Sequence, residues 1–296
     1  MSGWNEIIDE VNKHPGGLDG VRQQKIEEYA QHVNRNVICY YSGWLQRQDP
    51  STAYLVQITD DDKHGFMNVL HGLDPSLGLD LVLHCPGGDL AATESLIHYL
   101  RSKFGHNIRT VVPQISMSGG TLLAFSGNEI MMARHSNLGP IDPQLGEMSV
   151  VDILADWESA RTEILANPAA QGLWGPIISK YPLGFIQHCE AVKQWGIEIG
   201  QQALETGMLR NEADPSAKAS SIVNVFTSKQ THRSHARHLH REACEANGLK
   251  IVHVEDDQNY QDKLLSLHHA FMVTLSSANV GKIIENNLGR RKITFL

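Results

Sequence analysis

The sequence predicts an α/β protein built on parallel βαβ units. Two observations carry this. Apolar, β-branched segments of strand length alternate with segments whose apolar residues recur at three- and four-residue spacing. The connections are short and glycine-rich, and the pairs Gly87-Gly88 and Gly119-Gly120 each follow a strand-like segment. In such sheets, sites form at the carboxyl ends of strands, so both pairs also mark where chemistry is expected.

Residues 1–34 read as a helical arm, interrupted near its start by Pro15-Gly16-Gly17. Residues 35–45 are rich in β-branched and aromatic side chains and read as a buried strand. A helix follows, capped by an aspartate of 60–62, with Phe66, Val69, Leu70 and Leu73 on one face. Residues 79–85 form the next strand, and the helix after it carries Leu96, Ile97, Leu100 and Phe104 at helical spacing. "IRTVVPQI" is a third strand, "GTLLAFSG" a short helix and "NEIMMA" a fourth strand. Residues 150–209 read as mainly helical, and the polar stretch 211–220 is an internal boundary. Beyond it come a helix over "THRSHARHLHREACEANGL", a strand "KIVHVE" and a helix over 260–276. The expected division is an arm over 1–34, a main domain over 35–210 and an α/β extension over 211–296 packed on it.

With 296 residues, 41% of them hydrophobic and 20% charged, the chain can bury a sizeable core. Lys and Arg number 25 against 33 Asp and Glu, a formal charge of −8. That sign argues against nucleic acid or an anionic membrane as the main partner. Cys39, Cys85, Cys189 and Cys244 are scattered without a CxxC pair, so free, buried thiols are expected. The first residues lack the apolar core of a signal peptide, and no window approaches the roughly 18 apolar residues that span a bilayer. A soluble, cytoplasmic chain is expected.

Acyl transfer needs a nucleophile, a base and two N–H donors aimed at a developing oxyanion. Ser118-Gly119-Gly120 places a serine at a strand-to-helix turn, where backbone amides favour negative charge. "His84-Cys85-Pro86-Gly87-Gly88" offers free glycine amides on a neighbouring turn. The plainer alternative is that both are only tight βα turns, a common use of glycine. The elbow GxSxG is absent, because position 116 is serine.

"LDLVLHCPGG", followed by "PQISMSGGTLLAFSGNEIMMARHSNLGPIDPQLG", resembles the ClpP/crotonase superfamily of serine peptidases. More narrowly it is similar to the serine dehydrogenase proteinase (SDH) family, and "YPLGFIQHCEAVKQW", "HARHLHREACEANGLKIVHVEDD" and "KIIENN" extend the likeness over most of the chain. The resemblance implies a ClpP/crotonase-like spiral of ββα units with additional C-terminal helices, and homo-oligomeric assembly. It implies an ATP-independent serine peptidase acting on peptides or proteins, with Ser118 as nucleophile and an oxyanion hole from the Gly88 and Gly119 amides, supported by Gly87. ClpP-type enzymes carry their histidine base in a loop ending His-Gln-Pro-Leu-Gly, and the matching loop here places Asp142 in the histidine position. Membrane-associated relatives use a serine–lysine dyad, which makes Lys193 and Lys180 the candidate bases; His84 and His135 are the histidine alternatives. Burial must lower a lysine's pKa before it can act so, and Lys193 sits among Ala191, Val192 and Trp195. Ser116, two residues before Ser118, is expected on the same side in a supporting hydrogen bond. A non-catalytic scaffold of the same fold is the alternative function. Acyl-CoA chemistry would require carboxylates that the Gly-Gly-Thr helix lacks.

His235 and His238 would share a helix face as metal ligands do, with His232 and His240 nearby, but interleaved arginines favour a solvated basic face. "DDDKH" reads as a capped helix start. No GxGxxG or GxxxxGK[ST] occurs, so no cofactor and no metal are expected.

Overall fold

The protein is described by a computed structural model covering residues 3–47, 49–146, 148–228 and 234–296. The chain begins with α1 (Trp4–Lys13) and α2 (Gly17–Val33), followed by β1 (Asn36–Ser42), α3 (Ala53–Val56) and α4 (Asp61–Leu70). Then come β2 (Leu79–His84), α5 (Leu90–Phe104), β3 (Ile108–Val112), β4 (Ile115–Ser116), α6 (Gly119–Phe125), β5 (Ile130–Met132) and β6 (Asn137–Leu138). A small hairpin, β7 (Gln144–Leu145) and β8 (Met148–Ser149), precedes α7 (Val150–Ala166), α8 (Gln171–Ile178), α9 (Phe185–Thr206) and α10 (Pro215–Thr227). The chain closes with β9 (Leu239–His240), α11 (Arg241–Ala246), β10 (Ile251–His253), α12 (Gln258–Ser277), β11 (Val280–Asn286) and β12 (Arg291–Phe295).

The described residues form a mixed α/β structure around a seven-stranded sheet of order β10-β5-β3-β2-β1-β11-β12. Five neighbouring strands, β10 to β1, run parallel, while β11 lies antiparallel to both β1 and β12. The all-parallel expectation is therefore corrected at one edge. Every residue of β1 and β2 is buried, as befits strands covered on both faces. Ile38, Tyr40, Leu81 and Leu83 face α4, α5, α6 and α9, whereas Val37, Cys39, Tyr41 and Val82 face α2 and α12. The arginine of α2, Arg22, donates to Glu285 of β11 at 2.7 Å with both side chains fully buried, which ties α2 to the sheet.

Three local expectations differ from the structure. Pro113 has no N–H for a ladder, so "IRTVVPQI" breaks into β3 and β4. The latter joins a separate small sheet, β4-β6-β9. The histidine-rich stretch is not one helix: among its described residues, 234–238 are turn and coil, 239–240 pair with β6, and only Arg241–Ala246 is helical. His232 lies outside the described residues. At α4 the N-cap residue Asp60 makes no side-chain cap. Instead the carboxylate of Asp62 is buried and accepts from Thr59 N–H at 2.9 Å. All four cysteines are buried free thiols.

Candidate active site

The turn between β2 and α5 is built from close backbone contacts. Ile58 bridges to Gly88 in parallel: its N–H donates to Gly87 O at 2.8 Å, and its carbonyl accepts from Asp89 N–H at 2.9 Å. In a parallel bridge these bonds use the flanking residues, so the N–H of Gly88 itself points away from Ile58. A Cβ on Gly88 would overlap the Ile58 backbone, and one on Gly87 would lie 2.7 Å from Gly119 N, Met117 O and Ser118 Cβ. Gly87 also has φ 95°, a conformation side-chain-bearing residues avoid. On the far side, the Cβ position of Gly119 lies 3.4 Å from Gly88 N. Among the described residues, neither Gly88 nor Gly119 N–H appears in the backbone bonds that close these turns, which use Gly120, Thr121 and Leu122 N–H instead.

Ser118 is the half-buried residue between these glycine pairs. Its backbone sits at φ 52°, ψ −118°, and Asn34 is the other non-glycine residue at positive φ among those described. Such conformations persist only where surroundings impose them, and they concentrate at functional sites. Here Met117 N–H donates to Cys85 O at 3.0 Å, and Gly120 N–H donates back to Met117 O at 2.7 Å. The Ser118 hydroxyl makes no capping bond to α6.

Ser116 is fully buried, and its Oγ lies 3.6 Å from Cys85 Sγ. A Cβ on Gly120 would overlap Ser116 Oγ and lie 2.6 Å from Cys85 Sγ. Thr121 Oγ1 lies within hydrogen-bond reach of Ser116 O, at 3.1 Å, and Gly139 O, at 2.9 Å, joining β4 to the segment after β6. Each letter of Ser-Gly-Gly-Thr thus has a local reason. Burial pushes the Cys85 thiol up to about 11, so it stays protonated at neutral pH beside Ser116.

Residues 53–168 match the model of a family described as ClpP-like SDH-type serine proteinase. This stretch of the chain is similar to that family. Both glycine turns, Ser118 and the Asp142 loop fall inside the matched stretch. Two relatives, both named uncharacterized proteins of Methanocaldococcus jannaschii, are 32% identical. One alignment runs over 123 residues (39% of this chain, 43% of the relative), the other over 99 residues (33% of each). The chain thus spans less than half the length of these curated relatives.

Around the Ser118 turn the candidate bases are dispersed. His84 sits at the end of β2 but on the opposite sheet face from Cys85, with ring centroids 4.6 Å from Trp44, 5.5 Å from Tyr41 and 5.5 Å from His268. Its ring nitrogens are buried without a hydrogen-bond partner among the described residues, and burial pulls its pKa down to about 3. His135 is exposed, in a groove with Trp44, Met117 and His238. Lys180 is exposed at the end of α8.

Lys193 is half-buried on α9, beside Ile197 and facing Val151, Leu154 and Ala155 of α7. No ion pair holds it among the described residues. The course of α9 relates it to α6. The Cβ position of Gly200 lies 3.4 Å from Leu122, and that of Gly207 lies 3.2 Å from Gly127 O, so α9 runs in the same sense as α6. One turn before Gly200 on α9 comes Gly196. The Gly196 Cβ position also lies 3.6 Å from Pro143 and 3.8 Å from Ile141, and Leu90 of α5 is 4.0 Å away. Lys193 is one turn further.

Asp142, between Ile141 and Pro143, is mostly buried; its Oδ2 lies 3.7 Å from His235 Nδ1. Among the described residues, its Oδ1 and the His235 Nδ1 are buried without a hydrogen-bond partner. From the sequence, His235 is expected on a solvated basic face or as a metal ligand. Its pairing with Asp142 depends on the turn that replaces the expected helix. Among the described residues no group of three or more His, Cys, Asp or Glu is arranged to hold a metal ion, and no helix is long and apolar enough to cross a membrane.

Proposed function

We propose that the chain is a serine peptidase. The observation that carries this reading is the backbone of Ser118, held at positive φ between the amides of Gly88 and Gly119. Ser118 Oγ attacks the scissile carbonyl, and its proton passes to Lys193 Nζ as the C–O bond forms. The Gly88 and Gly119 N–H groups hold the oxyanion. Collapse breaks the C–N bond, the ammonium of Lys193 protonates the leaving amine, and water hydrolyses the acyl ester. The position of Lys193 on α9, one turn before Gly196 and against apolar α7 residues, with no ion pair among the described residues, supports it as the base. The reaction needs no nucleotide, and the assembly is a homo-oligomer of ββα-spiral subunits.

A second reading of the base rests on the incompletely satisfied Asp142–His235 pair. There His235 takes the proton and Asp142 orients the ring. Hydrolysis of casein or a fluorogenic peptide by Lys193→Met and His235→Ala variants decides between them. A loss of about 10²-fold or more, within the range of general acid–base catalysis, falls on the true base. Full turnover by Ser118→Ala would overturn the peptidase itself.

A further inference from the structure

The segment Gln57–Thr59 forms one wall of the Gly87–Asp89 turn, yet it is not part of a continuous strand. Its Ile58 edge is bonded to Gly87 O and Asp89 N–H. The other edge presents Gln57 O and Thr59 N–H, which in a sheet would meet another strand. Here two buried side chains meet them. Lys282 Nζ of β11 donates to Gln57 O at 2.7 Å, and Asp62 Oδ2 accepts from Thr59 N–H at 2.9 Å. The two are joined to each other, Lys282 Nζ to Asp62 Oδ1, at 2.6 Å, and both are nearly free of solvent contact, at 2% and 1% exposure. Tyr40 OH of β1 donates to Asp62 Oδ2 at 2.9 Å and completes the set.

We propose that Lys282 and Asp62 are positioning residues for the oxyanion hole, acting as a substitute strand that fixes Gln57–Thr59 and, through Ile58, the direction of the Gly88 N–H. The chain of contacts is short and has no slack. Ile58 is clamped on one edge by the ion pair and on the other by the glycine turn. The Gly88 Cβ position already overlaps Ile58, so Gly88 cannot move toward it. A buried pair costs desolvation and is weak evidence for stability as such. Its two bonds to one three-residue segment and one to Tyr40 give it a geometric task instead. Loss of the lysine leaves Gln57 O and Asp62 without their partner, and the segment shifts to rehydrate them. The Gly88 N–H then leaves the point where the oxyanion develops, while groups that bind the ground state are untouched.

This inference rests on the peptidase reading, and the experiment separates the two. A peptidyl fluorophosphonate is used as probe: Ser118 Oγ forms a P–O bond, fluoride leaves, and the phosphoryl oxygen occupies the oxyanion site. Saturation kinetics give KI and kinact separately. For Lys282→Met, kinact is expected to fall by about 10-fold to 10²-fold, short of the roughly 10²–10³ lost with a whole oxyanion donor, with KI within twofold. Tyr40→Phe, which keeps the ion pair and removes one bond to Asp62, should show a smaller fall in kinact of about threefold, and it carries the test if Lys282→Met does not fold. Folded variants with wild-type kinact overturn the positioning role alone. Equal falls in kinact and affinity also overturn it, since they mean general loosening. A wild type whose labelling survives Ser118→Ala overturns the nucleophile and, with it, the inference.

Discussion

Gly87→Ala probes the contact between the two turns. The new Cβ would lie 2.7 Å from Gly119 N, Met117 O and Ser118 Cβ, whereas ordinary contact begins at 3.4 Å. The turns must therefore separate by 3.4 − 2.7 = 0.7 Å, and all three atoms belong to or adjoin the backbone of the nucleophile. A misplacement of about 1 Å can cost on the order of 10²-fold in rate, so labelling of Ser118 by a fluorophosphonate should fall by about that factor. Alanine at φ 95° adds a left-handed backbone cost of about 1–2 kcal/mol. At about 2–4 °C per kcal/mol this lowers Tm by several degrees. Gly184→Ala is the control: it has φ 80° and nothing within 4 Å of its Cβ position, so it carries the backbone cost without the clash. It should lose Tm and label at the wild-type rate. If Gly87→Ala labels within twofold of Gly184→Ala, the close approach of the turns has no bearing on Ser118.

The remaining expectations concern pH, the base and the oxyanion wall. Burial lowers the pKa of both His84 and His268 in the folded protein, His84 from 6.5 to about 3. The unfolded chain therefore binds protons that the folded one refuses, and stability falls as pH drops from about 6.5 toward 3. The slope is up to about 1.4 kcal/mol per pH unit for each histidine. Urea titrations at pH 4 to 7 should show His84→Phe losing one histidine's share of that slope, and unchanged slopes would contradict its buried neutral state. Lys193→Met should abolish peptide turnover while leaving Tm nearly unchanged, because its amine has no ion-pair partner among the described residues; turnover lost in His235→Ala and retained in Lys193→Met would transfer the role. For Lys282→Met the separation of kinact from KI is the decisive quantity.

The parallel strands and their helices were legible because strand alternation and helical spacing are local. Phe66, Val69, Leu70, Leu73, Leu96, Ile97, Leu100 and Phe104 are all buried where their spacing put them. The β11–β12 hairpin was not read, although Asn286 marks its turn by accepting from Leu288 N–H at 2.9 Å and Arg290 N–H at 3.0 Å. Its strands are recognisable by what they pair with, and β1 lies over 230 residues earlier. The histidine-rich stretch failed for a similar reason: its helical spacing was overridden by pairing of β9 with β6. At the site, the small residues around Ser118 were readable because each answers a clash within a few residues or on the adjacent strand. The proton acceptor was not. Asp142 and His235 meet only through the loop after β6 and the turn at 234–238, and Lys193 is placed by the course of α9; no local pattern encodes either. Asp62 read as a helix cap because its partner, Lys282, lies 220 residues away.

Mass spectrometry of the fluorophosphonate-treated protein, with hydrolysis of a fluorogenic peptide followed in parallel, tests the nucleophile most directly. The expected result is one phosphonyl group per chain, on Ser118, with both adduct and hydrolysis lost in Ser118→Ala and both kept in Ser116→Ala. An adduct on another residue, or hydrolysis that persists in Ser118→Ala, would contradict it.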